Sequence, residues 1–345
     1  MKKLISLLVL LAALIAACGP QAPQTLTVLT HDSFAVSEAL VKQFEQENHA
    51  TVNFVKGGDA GAALNKAILT KDVPIADVFY GVDNTFLSRA LNEDIYEAFD
   101  APGLSQIPEE YKLDPENRAL PVDFGDVCIN YDKAYFAKNN LPVPQSLNDL
   151  LKPEYRGLLV AEDPSTSSPG LAFLLATVAG FGDNGYQAFW KGLKDNGTVV
   201  VDSWDTAYYT NFSGSSGHGA QPMVVSYNTS PAAEVVFANP PVSESPTASI
   251  TAPGTCFRQI EFVGILKGTK NRVLAEKFVD FMLSKPFQED MPLQMFVYPV
   301  LNGAAIPDVF KSAIAVPQQP VQMSPQDIAD HRDEWIKGWN SVMNP

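Results

Sequence analysis

The residues with most chemistry to offer lie in two polar turns, each set between an apolar run and a helix start. In the first, Asp163-Pro164-Ser165-Thr166-Ser167-Ser168-Pro169-Gly170 runs directly into Leu171-Ala172-Phe173-Leu174-Leu175-Ala176-Thr177-Val178. Hydroxyls ahead of a first helical turn cap its free N–H groups, and the same N–H groups at the positive helix end suit an anion such as phosphate. In the second, Ser226-Tyr227-Asn228-Thr229-Ser230-Pro231-Ala232 follows Met223-Val224-Val225 and precedes a helix expected from Ala232 to Ala238. Two such turns facing one cleft would combine hydroxyls, backbone donors and the Tyr227 ring, which is the equipment of a small-molecule binding site. No GxSxG, P-loop, HExxH or dinucleotide fingerprint accompanies them, which weakens an enzymatic reading.

The elements that must position these turns follow from the apolar spacing. Leu26–Leu29 reads as a strand, Val36–Phe44 as a helix, Thr51–Val55 as a strand, Ala62–Leu69 as a helix, Ala76–Gly81 as a strand and Phe86–Leu91 as a helix. This βαβαβα order implies a parallel sheet with crossover helices, and ligands of such sheets bind at the carboxyl ends of the strands. His31, Asp32, Asp59 and Asp83 are thereby expected at one rim. Each carboxylate also suits a helix cap, and Asp59 has the stronger claim on a ligand because Gly57, Gly58 and Gly61 surround it.

Asp123–Tyr131 and Cys256–Ile265 read as two longer extended runs that bracket a second αβ unit, opened by Gln145–Leu151 and holding both polar turns. That unit also carries a helix through Tyr186, Phe189, Trp190 and Leu193, a strand at Thr198–Val201, and Asn211–Gly219 as an exposed loop. The two runs are taken as crossings between two lobes. The fold class is therefore α/β, with one lobe from 25–123 and 258–345 and the other from 124–257. Arg272–Phe281 is expected as a helix, Leu293–Val300 as an aromatic strand or loop, and Asp327–Trp339 as an amphipathic closing helix.

The chain opens on Lys2-Lys3 and an apolar stretch ending at Ile15-Ala16-Ala17-Cys18. Residues 1–17 read as a secretion signal, too short to span a membrane, and 18–24 as a tether. Ile-Ala-Ala-Cys resembles a bacterial lipobox, with Cys18 the lipidated first residue of the mature chain. The formal charge is −15 over 345 residues, and removal of Lys2 and Lys3 takes it to −17. Nucleic acid and anionic lipid surfaces are poor partners for such a chain, whereas a cationic ligand suits it. Cys128 and Cys256 remain in a compartment where disulfides persist, so they pair, stay as buried thiols, or supply one nucleophile. Metal binding finds no support in the scattered His31, His49, His218 and His331.

Five stretches in register carry a resemblance: Leu29–Phe34, Ala76–Asn84, Asp163–Gly170, Ser226–Ala232 and Val297-Tyr298-Pro299-Val300. Together they resemble the thiamine-binding substrate-binding proteins of bacterial ABC importers. The resemblance implies a type II periplasmic-binding-protein fold closing on thiamine, its monophosphate or its diphosphate, no cofactor, and an ABC permease as partner to a monomeric carrier. Its implied ligand contacts fall on Asp59, Ala60, Ser167, Ser168, Trp204, Tyr227, Asn228, Thr229 and Ser230. Two positions depart from it, with His31 and Phe296 standing where tyrosine and tryptophan are usual, and Ala233 replaces an expected aromatic. A protonated His31 would repel a thiazolium, so weaker binding at acid pH is expected. Two competing readings remain. One is a thiaminase-like enzyme with Cys128 as nucleophile and Glu234 or Glu261 as base. The other is a carrier of polyamine, thiamine-derived pyrimidine or ferric ion, the last resting on Tyr208-Tyr209.

Overall fold

The computed structural model describes residues 23–344, so the signal, Cys18 and most of the tether lie outside the described residues. The first half follows the expected alternation: β1 (Gln24–Thr30), α1 (Glu38–Asn48), β2 (Ala50–Lys56), α2 (Ala60–Leu69), β3 (Val78–Asp83), α3 (Leu87–Asn92) and the short β4 (Tyr96–Glu97). β1 pairs in parallel with both β2 and β3. Gln24 already belongs to β1, so the tether is one residue shorter than its composition suggests.

The long strand β5 (Leu120–Asp132) leads through α4 (Lys133–Lys138) to β6 (Leu159–Glu162), α5 (Ser168–Phe181), α6 (Tyr186–Asp195) and β7 (Val199–Val201). A π-helical turn at Thr206–Asn211 precedes β8 (Met223–Tyr227), α7 (Ser230–Val236) and β9 (Thr247–Ile250). The stretch expected as an exposed loop at Asn211–Gly219 instead buries Phe212 and Ser215, because Phe212 packs with Tyr208 and Val224.

β10 (Phe257–Leu266) returns antiparallel to both β3 and β5 and so sits between the halves. The sheet order is β2-β1-β3-β10-β5-β8-β6-β7. After β10 come α8 (Arg272–Met282), α9 (Lys285–Gln294), β11 (Tyr298–Pro299), α10 (Asp308–Ala313) and α11 (Pro325–Met343). The segment expected as strand or loop from Leu293 thus holds the last two helical residues, Leu293 and Gln294, before the loop and β11. Pro286 and Pro292 obscured α9, yet Pro286 stands in its first turn, where a missing N–H removes no bond.

α5 is apolar on all sides and lies within the core, with Leu171, Leu174 and Leu175 fully buried. The closing helix α11 ties together elements from both halves. Its Trp339 meets Trp190 of α6 edge-on at 5.6 Å, and its Arg332 guanidinium lies 5.8 Å from the Phe86 ring beside α3. β5 is also joined covalently to the residue that precedes β10, by a Cys128–Cys256 disulfide beside the Arg258–Asp126 ion pair of 2.6 Å.

Candidate functional site

Both polar turns do face one cavity, of about 310 Å³, at the carboxyl ends of the parallel strands. His31, Asp59, Ala60, Ser168, Trp204, Tyr227, Ser230 and Phe296 all line it. Ser167, Asn228 and Thr229 stand one layer behind, fully buried, with the Asn228 side-chain amide donating to the Ala315 carbonyl at 3.2 Å. Asp83 is also withdrawn from the rim. It is buried at the end of β3, where it accepts from the Thr85 hydroxyl at 2.6 Å and from the Ser168 hydroxyl.

The first polar turn departs from its expected use. No hydroxyl caps α5, since the Ser167 side chain makes no such bond. The anion at this helix end is the Asp59 carboxylate, which belongs to the opposite wall. It caps its own helix through the Ala60 N–H at 2.7 Å and accepts the Trp204 N–H at 2.8 Å. Burial raises Asp59 from the ordinary carboxylate range, and the Trp204 and Ala60 N–H groups oppose that rise. The walls touch again where the Gly61 and Ala62 N–H groups donate to the Thr166 carbonyl. A Cβ on Gly61 would stand 2.7 Å from that oxygen, so the approach requires glycine. Ser33 closes the contact by donating to Asp205 at 2.6 Å.

Rings form much of the remaining surface. Trp204 stacks on Tyr208 with centroids 4.9 Å apart and donates its indole N–H to Ser226 at 2.9 Å. Tyr227 meets Trp204 edge-on and donates to Gln259. Ala233 lines the cavity without a ring, and Phe237, one helical turn on, lines the same face and packs against Phe296 at 5.4 Å. Tyr208 and Tyr209 do not form a matched oxygen pair, because the rings cross at 82° and the buried Tyr208 hydroxyl donates to Glu234.

His31 needs a correction on charge. Burial lowers its pKa to about 4, outweighing the pull of Asp32, so the ring is neutral at pH 5.5 as at 7.5. His31→Gln is therefore expected to leave the pH profile of ligand affinity unchanged across that range. A profile that flattened in the variant would assign the titration to His31. The ring is held from beneath by Gly81, whose φ is +109° and whose added Cβ would lie 2.5 Å from His31 Cδ2. Gly81→Ala is expected to destabilise the fold by about 1–3 kcal/mol and to displace His31, with urea unfolding as the check.

Sequence reasoning missed Lys56, Asp205, Phe237 and Met295 among the lining residues and cast Glu261 only as a catalytic base. Glu261 left a signal, being the lone charge within the apolar run Ile260–Ile265. The disulfide removes the Cys128 thiolate on which a thiaminase-like reaction depended, and Glu234 and Glu261 have no nucleophile to activate there.

A family model described as bacterial extracellular solute-binding protein matches residues 73–332. The chain belongs to that family. This solute-binding protein is 31% identical to the thiamine-binding periplasmic protein of Salmonella typhimurium, over 100% of its own length and 99% of the relative's. It is 32% identical to the thiamine-binding periplasmic protein of Brucella suis, over 98% of each chain. Among solved structures, a periplasmic thiamin binding protein superimposes with a TM-score of 0.82 at 27% identity, covering 95% of this chain and 98% of that one. The iron-bound HitA of Pseudomonas aeruginosa shares the fold at a TM-score of 0.75 and 20% identity, over 93% and 99%. The solute-binding protein therefore has the two-lobed type II periplasmic-binding-protein architecture expected of it.

Proposed function

We propose that the protein is the extracytoplasmic substrate-binding component of an ABC importer, capturing thiamine, thiamine monophosphate or thiamine diphosphate and delivering it to a permease. The observation that carries this reading is the charge of the cavity. Asp32, Asp59, Asp205 and Glu261 line it against a single lysine, Lys56, and the walls between are aromatic. An acidic, ring-lined cavity of this size fits a flat cation. Trp204, Tyr227, Phe237 and Phe296 would face the thiazolium and aminopyrimidine rings, and the Ser168 and Ser230 hydroxyls with Lys56 would receive the alcohol or phosphate end. The thiamine-binding relatives, matched along their whole length, support the same ligand. Residues 18–23 would hold the monomeric carrier beside its permease through lipid on Cys18.

Isothermal titration of the delipidated chain with thiamine, each phosphate and spermidine decides the ligand, with mass analysis of what is recovered. One-to-one binding of intact thiamine or a phosphate is expected. Binding of spermidine alone would replace thiamine by a polyamine, and recovery of cleaved thiamine would overturn the carrier reading.

A further inference from the structure

Three carboxylates stand in register on three neighbouring strands beneath the cavity floor. Asp83 of β3 lies opposite Glu261 of β10, and Glu261 lies opposite Asp123 of β5. Asp83 and Asp123 are fully buried and Glu261 is 5% exposed, reaching the cavity. Like charges directly across a ladder repel, and burial sharpens the penalty.

The donors near this row are too few for three charges. The Tyr80 hydroxyl lies 2.6 Å from Asp123 Oδ2 and 3.1 Å from Glu261 Oε2. A hydroxyl has one proton to give. When Tyr80 donates to Asp123, the nearer oxygen, its contact with Glu261 is a hydrogen bond only if Glu261 is protonated and donates to the Tyr80 oxygen. Asp83 is better supplied, by the Thr85 and Phe86 N–H groups and the Thr85 and Ser168 hydroxyls.

Cations on the surrounding elements are engaged elsewhere. Arg258 of β10 is paired with Asp126, and Lys56 of β2 donates to the Asp32 carbonyl. His31 Nε2 lies 3.5 Å from Glu261 Oε1 without forming a hydrogen bond, and the buried ring is neutral. The cavity wall adds Asp32, Asp59 and Asp205, which only deepen the negative field, and the Tyr227 hydroxyl is given to Gln259. Burial raises Asp83 to about 6 and pushes Asp123 and Glu261 upward, Glu261 the more because Asp123 and Asp83 stand beside it.

The geometry points to a proton-exchange site: in the ligand-free protein the Asp83–Glu261–Asp123 row holds a proton centred on Glu261, and a cationic ligand in the cavity displaces it. This rests on the reading of the ligand as a cation. The balance is one positive charge in and one proton out to the solvent, so the site keeps its net charge. Glu261 thereby becomes the residue that selects for ligand charge, since a neutral ligand of the same shape supplies no replacement for the proton. By linkage, the affinity for a cation rises with pH by about tenfold per unit while one proton is released, and is lost as pH falls.

Two measurements on the full mature chain test this separately from the identity of the ligand. Infrared spectroscopy of the ligand-free protein at pH 7 is expected to show a protonated-carboxyl C=O band in the difference between parent and Glu261→Gln, which cancels the contribution of the buried, unpartnered Glu162. Absence of that difference band overturns the proposal. Should Glu261→Gln fail to fold, Tyr80→Phe is expected to shift the band, and an unmoved band has the same overturning force. Calorimetry with thiamine in two buffers of different ionisation enthalpy is then expected to give about one proton released at pH 7 in the parent and none in Glu261→Gln. Binding without proton release overturns the exchange while leaving the thiamine reading intact. Absence of thiamine binding sinks that reading alone, because the infrared result still decides whether the row holds a proton.

Discussion

Cys256→Ser lowers the free energy of unfolding by about 5 kcal/mol, the loop-closure value for cysteines 128 residues apart. The bridge removes conformations from the unfolded chain, and it does so across the middle stretch from Cys128 to Cys256. It also fastens β5 to the residue that precedes β10, and these two strands lie between the halves of the sheet, where Arg258 and Asp126 form the neighbouring cross-strand pair. A fall of about 10 °C in Tm is expected. Urea unfolding of the parent with and without reductant, beside the variant, is the measurement. Equal midpoints in all three would show that the pairing contributes nothing in solution.

Trp204→Ala weakens thiamine binding by about thirtyfold, the equivalent of roughly 2 kcal/mol for one lost aromatic face. The variant isolates the ring, because the backbone N–H that Trp204 donates to Asp59 survives in alanine. Trp204→Phe should recover most of the affinity, lacking only the indole bond to Ser226. Titration calorimetry reads both. An alanine variant within twofold of the parent would make Trp204 a support for Tyr208 rather than a ligand face.

The secondary structure was legible wherever periodicity and turn chemistry agree. β1 to α3 follow the apolar spacing closely, and both polar turns join a strand to a helix as Ser167-Ser168 and Thr229-Ser230 suggest. Legibility failed where the local signal opposed the final state. Pro292 lies inside α9, and Phe212 is buried within a segment rich in glycine and serine. In both places packing overrides composition.

The site divides in the same way. Residue type and position at a strand end brought out His31, Asp59, Ser168, Tyr227 and Ser230, because a parallel sheet delivers its carboxyl-terminal turns to one rim whatever else the chain does. Lys56 and Phe237 were missed, since only the packing of β2 and α7 decides which exposed side chain at an element's end borders the cavity.

By itself, then, the sequence determined the alternation of strands and helices, the acidic charge of the chain, the two turns that carry its polar chemistry and the family to which it belongs. The tertiary structure decided the electrostatics. It placed Asp59, rather than a hydroxyl, at the start of α5. It neutralised His31 by burial, and it set Asp123 and Glu261 around the one hydroxyl of Tyr80, from which they are 43 and 181 residues distant in the chain. The reason is physical: helix and strand formation rest on neighbours along the chain, whereas a charge answers to the dielectric and to the other charges around it, which only strand register and burial bring together.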